Sequence, residues 1–259
     1  MELKKKHLEK FLDFSLKIVR KSEEITLKYY KPAVKYKLKK NLTPVTQADI
    51  KCEKYLLKKI RSKYPKHDIL AEESGEQNNN SEFKWIVDPI DGTKNFMRHY
   101  PFWGTLLALE YQNEIVLGVI SLPALNEVIF AAKGFGCYSN KKKVKVSKIS
   151  ELGKSYLIHG GLEYIVNEPY KDKFYTIAGL CNYNRGFGDC HGHSFIIKGM
   201  AELMLDPHVA PYDIAATKIC VEEAGGVLTD LKGDNTIFGG NALISNGKFH
   251  NEILKFLNM

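Results

Sequence analysis

The chain has 259 residues, of which 44% are hydrophobic and 11% aromatic. A chain of this length and composition can bury one large core or two coupled cores, and nothing in it indicates disorder. The formal net charge of +8 is unevenly distributed: residues 1–66 contain 20 Lys and Arg against 7 acids, and the remainder has 18 bases against 23 acids. The basic character therefore belongs to one segment, which argues against nucleic-acid binding by the chain as a whole.

The five cysteines are odd in number, scattered and without a Cys-x-x-Cys pair. This pattern argues against a disulfide framework and fits a reducing cytoplasm. The N-terminus has no unbroken apolar run of signal-peptide length, and no later stretch is long enough to span a bilayer. We therefore expect a cytoplasmic protein with no membrane partner.

Two amphipathic helices are predicted in the basic segment. Apolar or small residues recur with helical spacing over residues 8–25, and Pro32 ends this pattern. A second helix is predicted from Thr46, a good N-cap with Asp49 in the first turn, to a break at Pro65. Both helices carry lysines on their other face.

From residue 69 onward, short β-prone runs replace the helical spacing. They are Ile69–Ala71, Trp85–Val87, Trp103–Glu110, Ile115–Ser121 and Val128–Ala132. These runs predict an antiparallel sheet covered by the two helices. After the lysines at 141–143, strand and helix patterns alternate, with one strand expected near Cys181, as is typical of an α/β unit. We predict an N-terminal α+β half (1–145) and a C-terminal α/β half (146–259) within one compact unit.

The strongest local motif occupies residues 85–96, where an apolar strand runs directly into two acids. Asp88 and Asp91 can converge on a hard cation, which prefers oxygen ligands, and Pro89 stiffens the loop between them. The carbonyl of Ile90 is a natural further ligand. These residues predict a metal site at the end of the strand.

The two residues that follow this motif's acids, Gly92 and Thr93, would offer backbone N–H groups at the start of a helical turn. Such groups stabilise a phosphate. Taken alone, the segment is more simply interpreted as an Asp-rich turn after a buried strand.

Two other acidic segments favour a metal site over a simple Asp-rich turn. Glu72 and Glu73 follow an apolar strand directly, and Asp213 lies in the first turn of a helix predicted from Pro211. Individually, the first pair is interpreted as a solvated strand end, and Asp213 as a helix cap or a partner of the helix dipole.

Together, these segments resemble the inositol monophosphatase superfamily. The matching motifs are Thr-Pro-Val-Thr-Gln-Ala-Asp at 43–49, Glu-Glu-Ser at 72–74, Asp-Pro-Ile-Asp-Gly-Thr at 88–93, Tyr-Asp-Ile-Ala-Ala at 212–216 and Glu-Ala-Gly-Gly-Val at 223–227. They occur in the family's order over nearly the whole chain. The resemblance implies the layered αβαβα sandwich shared with fructose bisphosphatase, a homodimer, Mg²⁺ as cofactor and sensitivity to lithium.

The same resemblance implies ligands for two or three magnesium ions. Glu72, Asp88 and the Ile90 carbonyl would bind one ion. Asp88, Asp91 and Asp213 would bind a second, and a third, weaker ion would lie near Glu72.

The resemblance also implies the catalytic groups. Asp49 and Thr93, with Glu72, would orient or deprotonate the attacking water, and the Gly92 and Thr93 amides would bind the phosphate. Glu73 has no direct role in this assignment. The expected reaction is in-line hydrolysis of a small-molecule phosphate monoester without a covalent intermediate.

Substrate choice is expected to depend on the segment 185–193, Arg-Gly-Phe-Gly-Asp-Cys-His-Gly-His. This segment resembles the inositol-phosphatase-like histidinol phosphatases. Asp206 matches the family's acidic substrate-contacting position, and Asp189 would add a second carboxylate; two acids suit the ammonium group of L-histidinol phosphate. Asp189 could instead cap the following helix, and Arg185 could either pair with Asp189 or contact the substrate at the pocket edge.

The rival substrates within the superfamily are inositol 1-phosphate and, further behind, fructose 1,6-bisphosphate or a nucleotide. A bisphosphate would require additional cationic groups, for which Arg185 is the obvious candidate. A rival of another class is a nucleic-acid-associated protein that uses the Lys-rich first third of the chain. Solvated lysine faces on the two helices are the interpretation we favour for that segment.

Overall fold

The computed structural model describes residues 3–39 and 44–259. The α-helices in this part of the chain are α1 (Lys5–Tyr29), α2 (Gln47–Lys63), α3 (Thr93–Met97), α4 (Leu162–Ile165), α5 (Lys171–Leu180), α6 (Asp189–Ile197), α7 (Pro211–Ala224) and α8 (His250–Asn258). The strands are β1 (Tyr36–Leu38), β2 (Pro44–Thr46), β3 (Asp68–Ala71), β4 (Gly75–Gln77), β5 (Phe83–Asp91), β6 (Gly104–Tyr111), β7 (Glu114–Leu122), β8 (Glu127–Ala132), β9 (Gly136–Ser139), β10 (Lys142–Val144), β11 (Tyr156–His159), β12 (Tyr183–Arg185), β13 (Leu203–Asp206), β14 (Val227–Thr229) and β15 (Ala242–Ser245). Among these helices, none is long and apolar enough to cross a membrane.

The larger sheet contains eight strands in the order β10-β9-β8-β7-β6-β5-β3-β4. Helices α1 and α2 cover one face, where Phe14 and Leu56 share an apolar cluster with Trp85 of β5 and Leu107 of β6. The predicted sheet under two helices is therefore confirmed, with one difference: β3 and β5 pair in parallel. Parallel neighbours end at the same edge of a sheet, so the residues that follow β3 lie beside the end of β5.

A second sheet, of five strands in the order β12-β11-β13-β15-β14, completes a layered fold. Side chains of α6 and α7 form one core with both sheets; it includes Ile86 of β5, Ile219 of α7 and Met204 of β13. Helices α5 and α8 pack on the far side of the second sheet, where Phe174 and Ile253 contribute to a separate cluster. The order helices, sheet, helices, sheet, helices confirms the predicted αβαβα sandwich.

The second sheet follows the predicted alternation of strands and helices, with one displaced element. The strand expected near Cys181 begins at Tyr183, because Cys181 is the C-cap of α5 and its N–H donates to the Ile177 carbonyl at 3.1 Å. Strands β12, β11 and β13 are parallel, whereas β15 and β14 continue the sheet in antiparallel fashion.

The end of β5 is irregular, and this irregularity positions the acidic loop. The register between β5 and β6 shifts between Asp88 and Asp91. Pro89 lacks an N–H group for the ladder, and its carbonyl accepts a hydrogen bond from the Thr105 hydroxyl at 2.9 Å. In a regular strand, residues three positions apart point to opposite faces. The bulge allows both carboxylates to reach one cluster.

Candidate active site

The acids singled out from the sequence converge at one edge of the larger sheet, where β3 and β5 end and α2 and α7 begin. They form two groups, and within each group one oxygen from every carboxylate lies within 4.8 Å of the others. The groups are Asp88, Asp91 and Asp213, and Asp49, Glu72 and Glu73. The structure thus brings together four segments that are distant in sequence.

Asp88 lies at the centre of this acidic region. Burial raises the pKa of its carboxyl well above the usual value, and the neighbouring carboxyls of Glu72, Asp91 and Asp213 raise it further. Oδ1 of Asp88 is buried and has no hydrogen-bond partner among the residues that the structure describes. A buried acceptor without a donor is costly, and a cation would relieve that cost.

Two backbone N–H groups hold the other carboxylates of the first group. Cys190 donates to Oδ2 of Asp91 at 2.5 Å, and Ala210 donates to Oδ2 of Asp213 at 2.7 Å. Each bond engages one oxygen and leaves the second available as a ligand. Burial raises the pKa of Asp213 to about 7, and raises that of Asp91 well above its usual value.

The second group contains a cation that the sequence did not reveal, the ammonium group of Lys39. Its Nζ lies 2.8 Å from Glu72 Oε1 and 2.7 Å from Glu73 Oε1. Burial alone would lower the pKa of Lys39, but its hydrogen bonds to the two glutamates outweigh this effect and raise it. Burial raises the pKa of Glu73 to about 7 despite the lysine. A single ammonium therefore does not fully neutralise this group.

The two groups together fit divalent magnesium. All side-chain donors are carboxylate oxygens, which hard cations prefer, and they come from several rigid elements. Burial and neighbouring carboxylates raise the pKa of Asp88, Asp91 and Asp213, and a bound cation would lower it.

Asp49 is held by a capping box at the start of α2 and faces Thr93. Its Oδ2 accepts from the backbone N–H of Thr46 at 2.8 Å and also from the Thr46 hydroxyl. Its Oδ1 lies 3.3 Å from Oγ1 of Thr93, which also lies 3.0 Å from the Ile90 carbonyl. Burial raises the pKa of Asp49. The Thr93 hydroxyl therefore connects Asp49 to the acidic loop.

Gly92 occupies a position that only glycine fits. Its φ of +81° lies in the left-handed region, and it caps the N-terminus of α3. A Cβ atom there would lie 2.9 Å from the Phe102 carbonyl oxygen and 3.1 Å from Oδ2 of Asp189. The loop that carries Gly92 and Thr93 is thus packed closely against Asp189.

Asp189 is the first residue of α6 and has a φ of +59°. Gly188, rather than Asp189, is the N-cap, so the capping interpretation of Asp189 is wrong. Its Oδ2 instead accepts from Nδ2 of Asn95 at 2.9 Å. Burial, reinforced by the carboxylate of Asp206, raises the pKa of Asp189 to about 6. Asp189 therefore faces the loop that carries Gly92 and Thr93.

Asp206 ends β13 and is largely buried. A Cβ atom on Gly160 would lie 2.3 Å from its Oδ1, so the absence of a side chain at Gly160 makes room for this carboxylate. Arg185 lies on the exposed strand β12, with its guanidinium 3.6 Å from the centre of the Tyr183 ring. Within residues 3–39 and 44–259, no ion pair joins Arg185 to Asp189.

Three polar residues at the site were missed by sequence reasoning: Lys39, Asn95 and His193. Asn95 lies within the recognised motif, and its position two residues after Thr93 was the available signal. Lys39 was one of many lysines and carried no local signal. His193 lies at the end of the segment expected to set substrate choice, but nothing local indicated that it contacts Asp206.

Known proteins match this chain over most of its length. The inositol monophosphatase family matches residues 7–258. A histidinol-phosphatase from Chlorobaculum parvum is 36% identical over 90% of this chain and 91% of its own length. A fructose-1,6-bisphosphatase/inositol-1-monophosphatase from Thermotoga maritima is 31% identical over 95% of each chain. A solved structure of an IMPase from Thermotoga maritima superposes with a TM-score of 0.87 at 29% identity, covering 96% of this chain and 97% of that one.

The fold and the site define a phosphoric monoester hydrolase whose carboxylates are suited to metal binding. The chain belongs to the inositol monophosphatase family, whose members are metal-dependent.

Proposed function

We propose that this phosphatase is a Mg²⁺-dependent histidinol-phosphatase, which hydrolyses L-histidinol phosphate to L-histidinol and inorganic phosphate. The observation that carries the proposal is the placement of Asp189 against the loop of Gly92 and Thr93, the proposed phosphate loop. Oδ2 of Asp189 lies 3.1 Å from where a Cβ on Gly92 would lie. Asp206 provides a second carboxylate close enough to raise the pKa of Asp189. Two acids beside the loop favour a leaving alcohol that carries an ammonium group. The name of the Chlorobaculum parvum relative agrees with this choice.

We assign the metal ligands as the family resemblance implies. Glu72, Asp88 and the Ile90 carbonyl would hold one Mg²⁺, and Asp88, Asp91 and Asp213 a second. A third, weaker ion would lie near Glu72. Bound Mg²⁺ supplies positive charge to the phosphate oxygens and makes water easier to deprotonate.

The chain's own groups orient the water and the phosphate. Oγ1 of Thr93 can accept a hydrogen bond from the attacking water while its proton is donated to Oδ1 of Asp49. Because Oδ2 of Asp49 is already engaged by Thr46, Oδ1 is the oxygen left to receive that proton. The amides of Gly92 and Thr93 would bind the phosphate at the start of α3.

The alternative is inositol 1-phosphate, which would use the same hydrolytic residues. The Thermotoga maritima relative, named for activity on inositol monophosphate and fructose 1,6-bisphosphate, favours keeping it in the test. For fructose 1,6-bisphosphate the geometry is less suitable, since Arg185 stacks on Tyr183 at the surface. The second phosphate of fructose 1,6-bisphosphate would therefore lack the Arg185 guanidinium as a partner.

The test is phosphate release from L-histidinol phosphate, inositol 1-phosphate and fructose 1,6-bisphosphate, side by side, with Mg²⁺ and with EDTA. We expect Mg²⁺-dependent release with the highest kcat/KM on L-histidinol phosphate. A higher kcat/KM on inositol phosphate would overturn the substrate and keep the hydrolytic assignment. Absence of metal-dependent release on all three would overturn both.

A further inference from the structure

A buried histidine, His193, connects the three elements that carry the acids of the pocket. It lies on α6, one turn after Asp189, and has no exposed surface. Its Nδ1 lies 3.0 Å from the hydroxyl of Thr217 on α7, one turn after Asp213. Its Nε2 lies 3.4 Å from Oδ2 of Asp206, at the end of β13. One imidazole therefore contacts both helices and the strand.

The contacts favour one tautomer of the ring. A neutral imidazole has one donor and one acceptor nitrogen. The Thr217 hydroxyl can donate to Nδ1, which leaves the proton on Nε2, directed at the Asp206 carboxylate. The opposite tautomer would place two acceptors, Nε2 and Oδ2, against each other in a buried setting, which is costly.

Among the described residues, the Nε2 group of His193 lacks a normal hydrogen bond. It is buried and has no hydrogen-bond partner within normal distance in the part of the chain that the structure describes. Asp206 Oδ2 is the acidic acceptor that it faces, at 3.4 Å.

The two oxygens of Asp206 are differently placed. Oδ2 faces His193, whereas Oδ1 occupies the space that a side chain on Gly160 would fill. The Asp206 side chain has 9% of its area exposed, whereas that of His193 has none. Part of the Asp206 side chain is therefore accessible, whereas the imidazole is not.

We propose that His193 is a positioning residue that, braced by Thr217, holds the Asp206 carboxylate toward a cationic leaving group and so contributes to substrate preference. This inference rests on the proposed function, since it takes Asp206 as a contact of the substrate's ammonium group. His193 acts through Asp206 and touches no reacting atom.

The kinetic test compares a cationic ester with a neutral one. His193→Leu should raise KM for L-histidinol phosphate about tenfold, since it removes the N–H group that faces the charged Asp206 carboxylate, and should leave kcat within about twofold. KM for p-nitrophenyl phosphate, which has no cationic group, should change less than about twofold. His193→Gln keeps a donor of similar reach and should retain most of the preference.

Thr217→Val tests whether the Thr217 hydroxyl holds the imidazole in place, because it removes that hydroxyl and leaves His193 unchanged. It should shift KM in the same direction as His193→Leu, and the double variant should be no worse than His193→Leu alone, because Thr217 acts through His193. Equal losses on both esters in all three variants would show a role in folding only and would overturn the proposal.

A measurement on the unaltered protein separates this proposal from the substrate assignment. Long-range ¹H–¹⁵N NMR of the imidazole should show the proton of His193 on Nε2, and Asp206→Asn should shift that signal. A proton on Nδ1 would overturn the positioning role whatever the substrate. Failure to hydrolyse L-histidinol phosphate, with the Nε2 tautomer present, would instead overturn the substrate assignment.

Discussion

The backbone N–H of Cys190 donates a hydrogen bond to Oδ2 of Asp91, a residue 99 positions earlier in the chain, over 2.5 Å. Asp91 ends β5 in the larger sheet, whereas Cys190 lies in the first turn of α6, between the two sheets. The preceding residue, Asp189, accepts a hydrogen bond from Asn95 beside the phosphate loop. Cys190 therefore holds Asp91, a proposed metal ligand, and the adjacent Asp189 is itself a proposed substrate contact.

Asp91→Asn should abolish turnover and leave a folded protein. The amide oxygen can still accept the Cys190 N–H bond, so the shape is kept while the ligand charge is lost. We expect kcat to fall at least about 100-fold at saturating Mg²⁺, the scale of losing one major electrostatic contribution to the transition state. Metal-free stability should rise, because one member of a group of mutually repelling carboxylates is removed.

The measurement for Asp91→Asn is steady-state phosphate release, with circular dichroism to verify folding. Asp172→Asn, on α5 away from the site, is the matched control and should keep full activity. Retention of more than about a tenth of the activity by Asp91→Asn would contradict the assignment of this residue as a metal ligand.

Local patterns in the sequence predicted the parts of the site that depend on neighbouring residues. Thr46 and Asp49 form the expected start of α2, since a capping box involves residues only three positions apart. The strand that leads into Asp88 was likewise visible as an apolar run. The layered fold followed from the order of the motifs and the resemblance they carry.

The remaining features depend on contacts between distant segments. The parallel pairing of β3 with β5 follows from how the chain returns after β4, which no short window of sequence records. The Lys39 contact with Glu72 spans 33 residues, and that of His193 with Thr217 spans 24. The capping interpretation of Asp189 was wrong because Gly188 is the N-cap, and the carboxylate accepts a hydrogen bond from Asn95, 94 positions away.

Asp189→Asn should separate the charge of this residue from its shape. The amide oxygen can still accept from Asn95, but the negative charge is lost. We expect KM for L-histidinol phosphate to rise roughly five- to tenfold, with KM for inositol 1-phosphate changed less than about twofold. Initial-rate kinetics on both esters provide the measurement.

Asp189→Ala is the companion variant for this test. It removes the acceptor as well as the charge, so any additional loss reports on the Asn95 contact rather than on the charge. Equal changes in KM for the two esters in Asp189→Asn would show that Asp189 supports the loop and does not select the substrate.

Lys39→Met should destabilise the metal-free protein more than the Mg²⁺-bound protein. The lysine is the partner of both Glu72 and Glu73, and its removal leaves two partly buried acids without a counter-charge. We expect the free energy of unfolding in EDTA to fall by about 1 kcal/mol, a modest value because the pair retains some solvent. At saturating Mg²⁺ the difference from the parent should shrink, because the ion supplies positive charge beside Glu72.

Chemical denaturation with and without Mg²⁺ measures the effect of Lys39→Met, and Lys58→Met on the exposed face of α2 is the matched control. A destabilisation of the same size in both conditions would show that Lys39 and the metal do not share the same carboxylates.

The metal-free protein should lose stability as pH rises from about 4.5 to about 7. Burial raises the pKa of Glu73 and Asp213 to about 7 and that of Asp189 to about 6. The folded state therefore binds more protons in this range than the unfolded chain, and the free energy of unfolding falls as those protons are released. We expect a decrease of roughly 1–3 kcal/mol in EDTA. Saturating Mg²⁺ should offset it, since ligand at 100 times its Kd adds about 2.7 kcal/mol.

Urea denaturation at several pH values, in EDTA and in Mg²⁺, tests this pH dependence. Asp213→Asn removes one of the titrating groups and should give a shallower decline in EDTA than the parent. A free energy of unfolding that stays constant or increases between pH 4.5 and pH 7 in EDTA would mean that the clustered acids are already neutralised within the protein. In that case Mg²⁺ would add little to stability at pH 7, and its requirement in catalysis would have to rest on the phosphate alone.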